Sequence, residues 1–266
     1  MAKRKDKRKI WASIIAAVLA LAMALSAVAV FLGYLLDRDD DTVNPGGQLD
    51  LEAYREYYLG EVERLQKYID EYGPTVPVLS ELVQAYSLLI QIEKGDEEAA
   101  EETIKGYEDN LKKFSLELVE LEPDKPEHRL QLLYVYEQID EDEENIAEEI
   151  GALRELLHEN PDPPSSLKLI GFMKSSKLQE EIMNEEIDRL KEHFEQLEES
   201  DELNSENRYY YAYLLGEYLE EPRAAEDQLL LIMEKEPEDS TFYSAAKNYL
   251  EQLRKEEKED NSSEEE

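Results

Sequence analysis

The sequence predicts an all-α protein: one N-terminal transmembrane helix followed by an α-solenoid of antiparallel helix pairs. Three observations carry that expectation. Residues Ile10 to Leu36 are uncharged and overwhelmingly apolar. Beyond them glycine is scarce, β-branched alternation is absent, and Glu, Leu, Lys, Ala and Gln dominate, which favours helix over strand. Finally, Pro-acidic breaks recur at a spacing close to that of a helix pair.

Taken in order, residues 1–9 (MAKRKDKRK) hold six Lys/Arg against one Asp and read as a basic cytoplasmic leader. Residues 10–36, at a rise of about 1.5 Å each, are long enough to cross a hydrocarbon core of about 30 Å. The acidic DRDDDT that follows gives a positive-inside asymmetry. This predicts a cell-membrane protein with the N-terminus inside and the C-terminal domain outside the cytoplasm. Trp11 and Tyr34 stand at the two ends of the stretch, where amphipathic rings suit the headgroup layer. The competing reading is a cleaved signal peptide, with Ala27-Val28-Ala29 as the processing site. The apolar run continues through Leu36 and favours the anchor. Ala12, Ala16, Ala20 and Ala24 recur every four residues, a small-residue stripe that suits transmembrane self-association and hence a homodimer.

Residues 37–48 contain Asn-Pro-Gly-Gly and predict a flexible linker. Their Asp-x-Asp start lacks the glycine and terminal glutamate of a calcium loop. Residues 49–257 predict helices at 49–71, 77–93, 96–121, 126–140, 142–158, 164–176, 178–199, 205–219, 222–235 and 239–257. Each break carries Gly, Pro, Asp or Ser. Residues 258–266 predict an acidic disordered tail. Its Asn261-Ser-Ser is formally a glycosylation sequon.

The breaks have a rhythm. Pro123 and Pro161 are 38 residues apart and Pro237 follows at twice that interval. In the same register Leu118, Leu156, Phe194 and Ile232 are apolar, while Tyr134, Phe172 and Tyr210 are aromatic. Fixed apolar positions at helix-pair period indicate units that bury their faces against one another. Acidic-Pro-Asp at helix ends, aromatics in the first helix, and the run Tyr213-Leu-Leu-Gly216, Ala224-Ala225, Pro237 resemble tetratricopeptide repeats over about residues 77–253. The spacing is longer than that family's 34 residues, and the Leu-Gly pair occurs in one unit alone. The resemblance implies a protein-binding inner surface and no catalytic residues.

Composition narrows the function. The chain carries 66 acidic and 29 basic residues, a net charge of −37. That surface repels nucleic acid, whose binding requires Lys/Arg against phosphates, and it favours protein partners with a basic or apolar contact segment. Cysteine is absent, which removes disulfides and thiol chemistry. The three histidines, His128, His158 and His193, lie on different helices without metal-site spacing. Gly-rich phosphate loops and nucleophile elbows are absent. No cofactor, metal or catalytic activity is expected; an enzyme would need a carboxylate–histidine site formed only by folding.

Tyrosine is abundant, with 17 copies. Tyr54, Tyr57 and Tyr58 share one helical face, and Tyr209, Tyr210, Tyr211 and Tyr213 crowd another helix. Successive residues turn by about 100°, so at least one of Tyr209, Tyr210 and Tyr211 is expected to be exposed. These four residues form the candidate protein-binding site, since tyrosine is favoured at hot spots. The expected function is a membrane-anchored extracytoplasmic adaptor near secretion, envelope-assembly or cell-division machinery. The alternative is a self-associating structural spacer with no binding groove.

Overall fold

The computed structural model describes residues 51–96 and 99–264, with side chains described through 255. Ten helices make up this part. In chain order they are α1 (Leu51–Tyr72), α2 (Val76–Lys94), α3 (Glu101–Leu121), α4 (Pro126–Gln138), α5 (Glu143–Glu159), α6 (Pro163–Ser176), α7 (Glu180–Glu199), α8 (Ser205–Glu217), α9 (Pro222–Lys235) and α10 (Thr241–Glu264).

The helix starts follow from local chemistry. Pro126, Pro163 and Pro222 each stand first in their helix, where the missing N–H costs nothing and the fixed φ suits the first turn. Asp162 caps α6 by accepting from the Ser165 N–H at 3.3 Å, and Asn204 caps α8 by accepting from Asn207 N–H at 2.8 Å. Gly73, at φ +85°, closes α1 in the left-handed region that glycine adopts without steric penalty. Its N–H donates to the Ile69 carbonyl at 2.8 Å.

Successive helices pack in adjacent antiparallel pairs, the arrangement of a helical repeat. Besides these neighbours, α4 touches α6, α6 touches α8, and α8 touches α10; the intervening helices α3, α5, α7 and α9 do not approach one another comparably. The even-numbered helices therefore form the inner layer and the odd-numbered ones the outer layer. Side chains stitch the inner layer together. Ser87 and Gln138 exchange hydrogen bonds between α2 and α4 at 2.7 and 3.1 Å. Lys174 of α6 donates to the Glu217 carbonyl of α8 at 3.0 Å, and the Tyr249 hydroxyl of α10 donates to the Glu217 carboxylate at 3.1 Å.

The core is nearly continuous. One apolar cluster joins α1, α2 and α3 around Leu65, Leu82, Leu89 and Phe114, and reaches Val135 of α4. The other runs from Val119 through Leu133, Ile150, Phe172 and Phe194 to Leu250. Ile139 packs against both. Of the register positions, Leu118, Phe194 and Ile232 are fully buried, while Leu157 replaces its half-buried neighbour Leu156 in the core.

Three expectations are corrected. The fold class is all-α with packed helices, but among the described residues no helix is long and apolar enough to cross a membrane. The expected leader, span 10–36 and linker, with the Ala12, Ala16, Ala20 and Ala24 stripe, lie outside the described residues. The repeat is not an even 38 residues: α4, α6, α8 and α10 begin at Pro126, Pro163, Ser205 and Thr241, successive spacings of 37, 42 and 36. The excess falls in the unit containing α7, which has 20 residues against 17 in α5 and 14 in α9. Helix α10 also continues through Glu264, into the segment expected as a disordered tail, because nothing after Ser240 is Gly or Pro.

Candidate interaction surface

The ninth residues of α4, α6, α8 and α10 are Tyr134, Gly171, Tyr213 and Tyr249. Three of four equivalent positions on the inner layer thus carry a phenol. The fourth is a glycine, and its space is taken from outside the helix. A Cβ at Gly171 would lie 3.2 Å from the hydroxyl of Tyr218, which follows α8. Tyr218 thereby fills the empty rung and the row becomes continuous.

Ring geometry supports the row. Tyr213 lies 6.1 Å from Tyr218 and 5.8 Å from Tyr249 between centroids. Tyr209, one turn before Tyr213, meets Tyr249 edge-on at 6.2 Å. At the other end Tyr134 stands edge-on to Phe172 at 5.5 Å. Such offset and T-shaped pairs are the favoured arrangements of aromatic quadrupoles. Tyr134 leaves 42% of its surface exposed, yet desolvation still raises its pKa, with Glu137 adding to the effect. The ring of Tyr134 is thus wetted on one side and partly desolvated on the other.

The row has one dominant electrostatic feature. Glu217 acts on Tyr209, Tyr213, Tyr218 and Tyr249. Burial comes first in raising these phenols; Glu217 comes second for Tyr209, Tyr213 and Tyr249 and after Tyr213 for Tyr218, with Tyr213 itself pushed up to about 12. All therefore remain neutral O–H donors at physiological pH. Lys174 completes the picture. Its ammonium lies 4.7 Å from the centroid of the Tyr218 ring, within cation–π range.

The structure divides the four expected site residues. Tyr209 and Tyr213 belong to the inner row. Tyr211 is 6% exposed and stacks on Phe194 at 5.2 Å, so it is a core residue between α8 and α7. Tyr210 is half-buried to one side, where Glu206 and Asp162 add to the desolvation that raises its pKa. None of the consecutive three is fully exposed, because α6, α7, α9 and α10 surround α8. Tyr134, Tyr218 and Tyr249 were not among the expected binding residues. The signal for Tyr134 and Tyr249, a tyrosine at the ninth place of a helix, becomes visible once the unequal repeat lengths are allowed for.

The histidines are absorbed by structure. His158 bonds Glu186 at 2.9 Å and His128 bonds Glu122 at 2.9 Å. Burial, then Arg189, holds His193 below its ordinary pKa. Among the described residues no group of three His, Asp or Glu is placed to hold a metal ion. Glu186, 1% exposed, is held by Arg154 Nε at 2.8 Å, Arg189 Nη2 at 2.9 Å and His158. This network joins α5 to α7 and underpins the repeat rather than the inner surface.

A second aromatic feature lies on α1. It exposes Tyr57, Tyr68 and Tyr72, while Val62 and Leu65 face the core. Arg55 fixes this helix to the end of α2 through Glu93 at 2.8 Å and Asp96 at 2.7 Å. Neither a protein-family model nor a curated protein matches the chain.

Proposed function

We propose that this protein is a tetratricopeptide-like interaction scaffold whose inner helical layer holds a segment of a protein partner. The observation that supports this reading is the row Tyr134, Tyr218 and Tyr213 along the inner layer, with the buried Tyr249 packed against Tyr213. A structural helix pair needs aromatic rings between its two layers, as Tyr211 and Phe194 provide. It does not need a further row on the inner side with one ring half in solvent. Tyrosine offers a large contact area at low conformational-entropy cost and a neutral donor at its tip.

The test is crosslinking of the full chain in intact cells followed by identification of bound proteins. Tyr134→Ala and Tyr213→Ala are the informative variants. A substitution of Tyr211 would unpack α8 from α7 and report on folding instead. Loss of a recovered partner with Tyr134→Ala, at unchanged helicity, supports the reading. Unchanged recovery with both variants removes it.

The stripe on α1 favours a second reading, a self-associating spacer that joins copies through Tyr57, Tyr68 and Tyr72. Sedimentation of the full chain separates the two: a dimer dissolved by Tyr68→Ser, with no partner sensitive to Tyr134→Ala, selects the spacer.

A further inference from the structure

The inner row carries charge as well as rings, and the charges fall into a pattern. Glu137 lies one turn beyond Tyr134 on α4 and is exposed. Its carboxylate makes no hydrogen bond or ion pair with the described residues, and desolvation raises its pKa. Glu217 lies at the other end of the row, amid Tyr209, Tyr213, Tyr218 and Tyr249. Between them the molecule has already placed one cation of its own. The Lys174 ammonium sits over the Tyr218 ring at 4.7 Å while donating to the Glu217 carbonyl at 3.0 Å.

We propose that the occupant of the inner face is an extended peptide segment bearing lysine or arginine, a cationic side chain of which lies over the exposed Tyr134 ring and pairs with Glu137. This deepens the scaffold reading and rests on it. The electron-rich face of a phenol attracts an ammonium or guanidinium, and more so where water is partly excluded. The Glu137 carboxylate, partly desolvated, gains from a counter-ion, because desolvation without one penalises its charged form. Lys174 shows that the geometry of the row admits a cation at contact distance. The net charge of −37 adds long-range attraction for a basic segment and repels an acidic one.

A random dodecapeptide library panned on the immobilised full chain tests the inference, with affinities of the recovered peptides then measured by fluorescence anisotropy. Four variants separate the contributions: Tyr134→Ala removes a ring, Tyr134→Phe keeps it, Glu137→Gln removes a charge in the row, and Glu155→Gln removes one on α5. The expected peptides are enriched in Lys and Arg. Their binding weakens about tenfold with Tyr134→Ala and by about threefold or more with Glu137→Gln. It stays within about twofold of the parent with Tyr134→Phe and Glu155→Gln, and weakens as salt is raised. Circular dichroism of each variant guards against unfolding. Recovery of Tyr134-dependent peptides lacking Lys and Arg overturns the inference and leaves the scaffold reading standing. Basic peptides indifferent to Tyr134→Ala, or equally weakened by Glu155→Gln, report diffuse attraction to an acidic surface and also overturn it. If no recovered peptide depends on Tyr134, the inner face is not a peptide site and both readings fall together.

Discussion

Gly216 of α8 faces Tyr249 of α10 so closely that a Cβ added at Gly216 would collide with the tyrosine hydroxyl. The glycine is there for approach, since its backbone is ordinary helix. Tyr249 is buried, and its hydroxyl is engaged with Glu217, so it has little room to move aside.

The first prediction compares the two helical glycines of the inner layer. Gly216→Ala gains about 1 kcal/mol of helix propensity but incurs overpacking of about 1–3 kcal/mol. The net expectation is a loss of about 1 kcal/mol in urea unfolding. Gly171→Ala meets only the outer end of Tyr218 at 3.2 Å, a tip that can shift by a few tenths of an ångström, and is expected to be neutral or stabilising. Adding Tyr249→Phe to Gly216→Ala removes the colliding atom. The double variant should lose less than the sum of the singles, a coupling of about 0.5 kcal/mol or more in a double-mutant cycle. Strict additivity would show that the approach is not what requires glycine.

A second prediction concerns alkaline pH. Burial holds Tyr86, Tyr211 and Tyr213 up to about 12, and raises Tyr218 and Tyr249 further. In the unfolded chain these phenols titrate near 10. Above that pH the unfolded state releases protons that the native state keeps, so stability falls as pH rises. It is fully present below about pH 10 and is lost progressively through 12. The tyrosinate absorbance of these five phenols should therefore appear together with loss of helicity, as a step distinct from that of the solvent-exposed tyrosines.

The number, order and approximate bounds of the helices were legible because the breaks are chemical. Pro126, Pro163 and Pro222 can begin a helix and cannot sit inside one, and Asp162 and Asn204 cap theirs with side-chain oxygens. The binding row was only half legible. Tyr209 and Tyr213 stood out through crowding. A fixed 38-residue ruler pointed to Phe172 and Tyr210, whereas the equivalent places are Gly171 and Tyr213, because the unit containing α7 is longer. No periodicity could show that Tyr218 fills the space above Gly171, since the contact joins one unit to the next and depends on how the chain leaves α8. The inward turn of Tyr211 likewise required Phe194 of α7, a partner 17 positions away.

The third prediction addresses the buried charge at the repeat interface. Glu186 is nearly inaccessible; burial alone would raise its pKa, but hydrogen bonds from Arg154, His158 and Arg189 and the charge of Arg189 outweigh it and hold it below the usual range. A carboxylate with a depressed folded pKa contributes stability above its unfolded value near 4.5 and loses it as pH falls through the folded value. Glu186→Gln leaves two arginines without their shared anion, and removal of one partner from such a buried network costs about 3 kcal/mol. The variant should unfold at lower urea at pH 7. Its stability should also fall less steeply than the parent's below pH 4.5, because it lacks this titrating group. Parallel acid profiles would assign the pH dependence to other carboxylates, of which Glu141 and Glu198 are also depressed by their cation partners.

The last helix provides a fourth prediction. Ala246, Tyr249, Leu250 and Leu253 of α10 are buried members of the larger core cluster, and they cover α8 and α9. In a stacked repeat the terminal helix shields the apolar face that a further unit would otherwise bury. Ending the chain after Ser240 would uncover Tyr209, Tyr213 and Leu215, creating an apolar face at the end of the stack. That truncated chain is expected to self-associate in sedimentation and to unfold at lower temperature. Ending it after Lys255 retains every one of those core residues, and the change in stability should stay within about 0.5 kcal/mol. The pair of truncations separates two roles for a helix that is continuous to Glu264. If the longer chain also self-associates, the residues beyond 255 protect the end of the stack. If it stays monodisperse while the shorter one does not, the capping function resides in the roughly two turns between Ala246 and Leu253.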